Sequence, residues 1–165
     1  MNREAMFSRA SDEWMTPRAL YLIYHQRYGF TIDGAATAAN THCARFWDAA
    51  QDALAQSWAN ETVWLNPPYS RIAPFLAKAR VEQASNATTV LLVPARTDTR
   101  WFHDHLWDRR THHWQTGVGP VEFLKGRVRF ERPDGAPAMG APFPSMVVVL
   151  PGYGKGVLQP SQPSP

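Results

Sequence analysis

A chain of 165 residues, 44% apolar and 19% charged, is long enough for one compact domain and too apolar for wholesale disorder. No run approaches the roughly 18 apolar residues of a membrane span, and the first ten residues lack the apolar core of a signal peptide. The single cysteine, Cys43, cannot form an internal disulfide, so the expected setting is a reducing, cytoplasmic one without a membrane.

The expected organisation is a flexible leader over 1–10, one domain over 11–150 and a flexible tail over 151–165. Pro17 to Tyr28 reads as a helix, with Leu20, Ile23, Tyr24 and Tyr28 at three- and four-residue steps. Thr16 is placed to cap it, Pro17 suits its first turn and Gly29 its end. Phe30 to Asp33 is a short strand running into the small residues Gly34 to Ala39. Thr62 to Leu65 is a second strand, stopped by Asn66-Pro67-Pro68-Tyr69, and a helix from about Ile72 to Ala84 follows. Thr89 to Val93, a continuous β-branched and leucine run, is the clearest buried strand. A helix around Thr99 to Trp107 comes next.

Beyond it, Val121 to Leu124 and Arg127 to Phe130 flank Lys125-Gly126, which predicts a tight antiparallel hairpin. Pro133 to Pro144 is a Pro/Gly/Ala loop, and Met146 to Leu150 a further buried strand. Pro151 to Pro165 has the Pro, Gly, Ser and Gln content of a flexible tail. Strands alternating with helices and closing on a hairpin indicate a three-layer α/β sheet, mostly parallel with an antiparallel edge. In such sheets ligands bind beyond the carboxyl ends of the strands, where Asp33 and Asn66 would project.

Asn66-Pro67-Pro68-Tyr69 is the sharpest chemical signal. An aromatic exocyclic amine is a poor nucleophile because its lone pair is delocalised into the ring. Acceptors offered to its two hydrogens let that lone pair localise, and the Asn66 side-chain oxygen and the Pro67 carbonyl can supply them. Consecutive prolines hold these acceptors pre-aimed, and Tyr69 can stack on the face of a base withdrawn from the helix. A plain turn after a strand is the alternative for the motif.

Charge is uneven along the chain. Residues 1–60 hold five basic against six acidic side chains, and residues 61–165 hold twelve against eight. Arg96, Arg100, Arg127 and Arg129 belong to this basic half, among Trp101, Phe102, Trp107, Trp114 and Phe130. Guanidinium forks match phosphates and aromatic faces match bases. Surface salt bridges with Asp98, Asp104 or Glu122 are the competing use. The histidines show no ligand spacing that would hold a metal.

These pieces, in order, resemble the phage-type DNA N6-adenine methyltransferase (Dam) family. The matching stretches are Asp12-Glu13-Trp14-x-Thr16-Pro17, Phe30-x-Ile32-Asp33-x-Ala35-Ala36 and Asn66-Pro67-Pro68-Tyr69. Pro94 to Phe102, Gly126-Arg127-x-x-Phe130 and Ala141 to Met146 complete the set. The resemblance implies a Rossmann-like methyltransferase fold, a phage or prophage origin, and transfer of a methyl group to adenine N6 in DNA. The partner would be double-stranded DNA, with single strands also accepted. It implies S-adenosylmethionine as cofactor, with Thr16 and Pro17 near its methionine end and Asp33 near its amino or adenosine portion. Gly34 stands where most methyltransferases carry a glycine pair. Either Asp48 or Asp52 could take the ribose, Asp52 matching the family's acidic stretch better. An RNA adenine or a protein glutamine as acceptor, or a non-catalytic DNA-binding relative, are the alternative readings.

Overall fold

The computed structural model describes residues 14–132, 134–136 and 139–154. The expected leader over 1–10 and the stretch from 155 onward lie outside the described residues.

Helix α1 spans Arg18–Tyr28 and ends on Gly29, whose left-handed backbone (φ 65°) lets its N–H reach the His25 carbonyl. Its start differs from expectation: Pro17 occupies the cap position with no side-chain cap bond. The Arg18 N–H instead donates to Glu131 Oε1 at 3.0 Å, because the Thr16 hydroxyl is used elsewhere. Strand β1 is short, Ile32–Asp33. Strand β2 is Thr62–Leu65, helix α2 is Ile72–Glu82 and strand β3 is Thr88–Pro94. Helix α3, Arg100–His105, leads into β4 (Trp107–Asp108) and β5 (His113–Trp114), which pair antiparallel as a separate hairpin. Strands β6 (Val121–Phe123) and β7 (Ser145–Leu150) follow.

The fold is mixed α/β, with a main sheet in the order β1-β2-β3-β7-β6. Strands β1, β2 and β3 are parallel, whereas β7 runs antiparallel to both β3 and β6. Alternate residues feed two separate cores. Val63, Leu65, Leu91, Val93, Met146 and Val148 pack with Leu76 and Phe75 of α2 and Phe102 of α3. Trp64, Val90, Leu92, Val147 and Val149 pack with Tyr21 and Tyr24 of α1. A strand buried on both faces needs apolar side chains at every position, which is why β3 and β7 read as unbroken runs.

The hairpin expected across Lys125-Gly126 does not form. Gly126 does turn the chain (φ 74°), but β6 pairs with β7, Val121 opposite Val148 and Phe123 opposite Met146. The six-residue β7 is entirely buried, and β6 pairs along the side that β3 leaves open. Residues 127–131 are thereby freed for other contacts. The Val128 carbonyl accepts from the Ala141 N–H at 2.9 Å, and Glu131 bridges to Met15. At the other end, Pro151 to Gly154 lie against the body: the Gly152 N–H donates to Thr88 Oγ1 and the Tyr153 N–H to the Gln83 carbonyl, both at 3.0 Å.

Candidate active site at the carboxyl edge of the sheet

Parallel pairing of β1, β2 and β3 brings Asp33, Asn66 and Ala95 to one edge. The register Pro94 to Ser145 brings the start of β7 there too. A cavity of about 580 Å³ opens at this edge. It is lined by Thr16, Asp33, Gly34, Asp52, Asn66 and Pro68 among the expected site residues. Pro17, Pro67 and Tyr69 are chain neighbours of lining residues without lining it themselves, and the four expected DNA-binding arginines are not part of its lining.

The Asn66 amide is held in one orientation. Its Nδ2 donates to the Trp14 carbonyl and, at 3.1 Å, to Thr16 Oγ1. A carbonyl only accepts, so nitrogen must face it, and Oδ1 takes the opposite side. Oδ1 is buried and has no hydrogen-bond partner among the described residues. The Thr16 side chain is itself buried and also accepts from Trp64 Nε1 at 3.3 Å. His42 Nε2 lies 2.8 Å from the Thr16 carbonyl.

Tyr69 opens a short 3₁₀ turn, Tyr69–Arg71, closed by the Arg71 N–H donating to the Pro68 carbonyl at 2.8 Å. Its ring lies near-parallel to Trp14 (6.4 Å, 23°) and meets the edges of Phe143 (5.4 Å) and Phe130 (6.3 Å). The phenol oxygen is buried without a partner among the described residues, and that burial pushes its ionisation well above the ordinary range. Four stretches distant in sequence therefore meet in one aromatic cluster. Arg96 lies over the Phe143 ring at 5.5 Å, so this arginine adjoins the cluster.

Asp33 is nine-tenths buried at the end of β1. Burial pushes its carboxyl up to about 6, against the lowering effects of the Ala35 N–H bond and of His42. Gly34 is required by β2: its N–H donates to the Trp64 carbonyl at 2.8 Å, and a Cβ there would sit 2.9 Å from Val63 Cγ1. Asp52 caps the 3₁₀ turn Ala53–Ala55 by accepting from the Leu54 N–H. Asp48 accepts from the Ala50 and Gln51 N–H groups. Both carboxylates line the cavity, and each retains acceptor capacity beyond its turn.

Sequence reasoning left Trp14 and Arg71 without a role at the site. Trp14 stands two residues before Thr16-Pro17, and Arg71 two after Tyr69, so adjacency was the available signal. Phe130 and Phe143 arrive through the 127–131 segment and the loop it pairs with, which only the three-dimensional pairing reveals.

Arg96, Arg100, Arg127 and Arg129 are exposed, and among the described residues none forms an ion pair. Glu122 is engaged instead by Arg27 at 3.2 Å and by the Tyr24 hydroxyl at 2.8 Å. Among the described residues no three His, Cys, Asp or Glu side chains gather as a metal-ligating group. No helix among them is long and apolar enough to cross a membrane.

Residues 5–153 match the family described as DNA N-6-adenine-methyltransferase (Dam). Over 93 residues the chain is 39% identical to a DNA N-6-adenine-methyltransferase of Escherichia phage T1, covering 55% of this chain and 39% of that relative. Over 94 residues it is 32% identical to the protein of the same name from Haemophilus phage HP1 (strain HP1c1), covering 55% of this chain and 54% of that one. The matched stretches thus span about half or less of either relative. With the family match running through all the elements described above, the chain belongs to the DNA N-6-adenine-methyltransferase (Dam) family.

Proposed function

We propose that this protein transfers a methyl group from S-adenosylmethionine to the N6 amine of adenine in DNA, with the target base flipped onto Asn66-Pro67-Pro68-Tyr69. The observation that carries the reading is that Asn66 lines the cavity and its Oδ1 is a buried acceptor without a partner among the described residues. A lone buried acceptor costs stability unless something arrives to donate to it.

The cavity fits the donor. Its volume lies in the ordinary range for cofactor sites. Asp33, a buried carboxylate, gains from a cationic partner, and an ammonium or sulfonium group supplies one. The Thr16 hydroxyl accepts two bonds already, so toward the cavity it has only its proton to give, which suits a carboxylate. Asp52, with Asp48 beside it, offers acceptors for ribose hydroxyls. Arg71, also lining the cavity, can face the carboxylate. When bound, S-adenosylmethionine provides an electrophilic methyl carbon on sulfur.

Asn66 Oδ1 accepts one N6 hydrogen and the Pro67 carbonyl the other, so the nitrogen lone pair localises toward the cavity. Tyr69 stacks on the base, and Trp14 is positioned as the second aromatic wall. A donor held by Thr16, Asp33, Asp52 and Arg71 would supply its methyl group to this nitrogen and leave as the neutral thioether. The positive charge arising on nitrogen is stabilised by the same two acceptors. Asn66 cannot hold a proton, so the methylated amine releases its proton to water.

The exposed arginines bind phosphates, with Arg96 nearest the flipped base. The substrate is double-stranded DNA, and single strands serve too because a base outside a duplex costs less to extrude. The corresponding architecture is a three-layer Rossmann-like methyltransferase domain. It acts in the cytoplasm of a bacterial host as a phage or prophage product.

Purified protein given labelled donor with DNA, RNA or a glutamine peptide decides the acceptor. The expected result is label in N6-methyladenine of DNA, reduced at least about 100-fold by Asn66→Ala, the scale of losing a transition-state acceptor. Label in RNA alone or peptide alone would replace the DNA assignment. Equal transfer by Asn66→Ala would remove the mechanism.

A further inference from the structure

Thr16 is the point where the amino-terminal segment, β2 and the residue after β2 meet. Its hydroxyl accepts from Trp64 Nε1 at 3.3 Å and from Asn66 Nδ2 at 3.1 Å. The residue two positions earlier offers its carbonyl to the same Asn66 nitrogen. The Thr16 backbone is anchored in turn, its carbonyl 2.8 Å from His42 Nε2, and the His42 ring packs 5.3 Å from that of Tyr21. Both lone pairs of the Thr16 oxygen are filled by donors that cannot act as acceptors. The hydroxyl is therefore a fixed acceptor, and the indole holds it where Asn66 needs it.

An asparagine amide has two nearly isosteric faces, and chemistry at N6 needs the oxygen face in the cavity. A flipped amide would point N–H groups at the substrate amine and its oxygen at the Trp14 carbonyl. We propose that Thr16 is a positioning residue for methyl transfer. Held by the Trp64 indole, it clasps the Asn66 nitrogen together with the Trp14 carbonyl, so that Oδ1 alone faces the substrate. This role goes beyond a contact with the methyl donor and rests on the reading of Asn66 as the acceptor for adenine N6. It also accounts for asparagine at position 66. An aspartate would set an oxygen against the Trp14 carbonyl with no proton between them.

The test uses the full chain labelled with ¹⁵N at its five asparagines, the Asn66 side-chain signal being assigned by its loss in Asn66→Ala. In the wild type the two Asn66 amide protons should exchange with water far more slowly than those of an exposed asparagine. Thr16→Val removes the hydroxyl at nearly constant volume. It should shift and deprotect that signal and lower kcat at saturating donor about 10–100-fold, the scale of a misplaced reacting group. Thr16→Ser, which keeps the oxygen, should recover at least tenfold of that loss and restore protection. Thermal unfolding of each variant verifies folding, and Thr16→Ala substitutes for the valine variant if that one is unfolded.

Two results would overturn the proposal: rapid exchange of the wild-type Asn66 amide, or a hydroxyl-free variant whose kcat at saturating donor equals that of the wild type. A variant in which only donor affinity drops falls in the second group and makes Thr16 a plain donor contact. If wild-type protein methylates no adenine, the proposed function fails separately. The exchange measurement then decides the clasp alone, protection lost in Thr16→Val upholding it and protection unchanged refuting it.

Discussion

Asp33 sets a pH dependence that can be worked out in sign. A carboxyl that titrates near about 3.9 in an unfolded chain and at about 6 in the folded one keeps its proton longer when folded. Its stabilising contribution is fully present below about pH 4. It declines as pH rises to about 6 and is then constant, a loss of about 3 kcal/mol without a bound cation. Asp33→Asn should abolish that decline, and melting curves between pH 4 and 7 for both proteins would reveal it. Parallel slopes would mean the carboxyl is not buried as described. Donor binding should run the opposite way, weakening below about pH 6 as Asp33 is neutralised. A second substitution probes the neighbouring amide. Asn66→Asp sets a carboxylate against the Trp14 carbonyl, so at pH 7.5 it should lose about 1–3 kcal/mol of stability, read as a lower Tm. The positions of Asp33 and Asn66 at the carboxyl edge were legible in sequence because the one ends an apolar strand and the other directly follows one. The Thr16 role was not. A threonine before a helical proline has the local pattern of a cap, and only β2 brings Trp64 and Asn66 within reach of it.

At the scale of elements, β2, β3, β7 and both longer helices follow directly from apolar pattern and punctuation, Gly29 and Asn66-Pro67-Pro68 above all. The 121–130 hairpin failed for an identifiable reason. Lys125-Gly126 has the chemistry of a hairpin turn, but local turn chemistry competes with the open side of β7, and β7 offers a longer buried partner. Composition misleads again at Pro151 to Gly154, where proline and glycine suggest a loose tail. Gly152 is there for close approach: a Cβ would lie 2.6 Å from the Asn86 carbonyl carbon and 2.7 Å from its oxygen. Gln83 reinforces the contact by donating to the Pro151 carbonyl at 2.9 Å. Gly152→Ala should therefore cost about 1–3 kcal/mol, as overpacking against backbone does. In a chain of this size that is a drop in Tm of several degrees, on the order of 2–4 °C per kcal/mol. A melting temperature within one degree of wild type would show that this stretch can move aside at little cost.

Across the whole molecule the basic excess gathers in the second half of the chain, and the four arginines singled out carry no ion pair among the described residues. Charges left unneutralised in this way are the ones available to phosphates. Binding of a DNA duplex should weaken as salt rises, each phosphate contact contributing a slope of about 0.9 in log K against log salt. Replacing Arg127 and Arg129 together by alanine should reduce that slope by about 2. An unchanged slope would assign the phosphates to other residues.

Strand β7 sits in the interior of the sheet, between β3 and β6, yet about fifty residues separate it from β3 along the chain. On a ribosome, β3 emerges and waits with one whole edge bare until Leu150 has followed. The aromatic cluster waits as well, since Phe143 leads directly into β7. Folding must therefore be a late, concerted event dominated by a long-range pairing, the slow kind. An interrupted translation product ending before β7 would carry the Asn-Pro-Pro-Tyr sequence intact and still leave β3 unpaired along one edge.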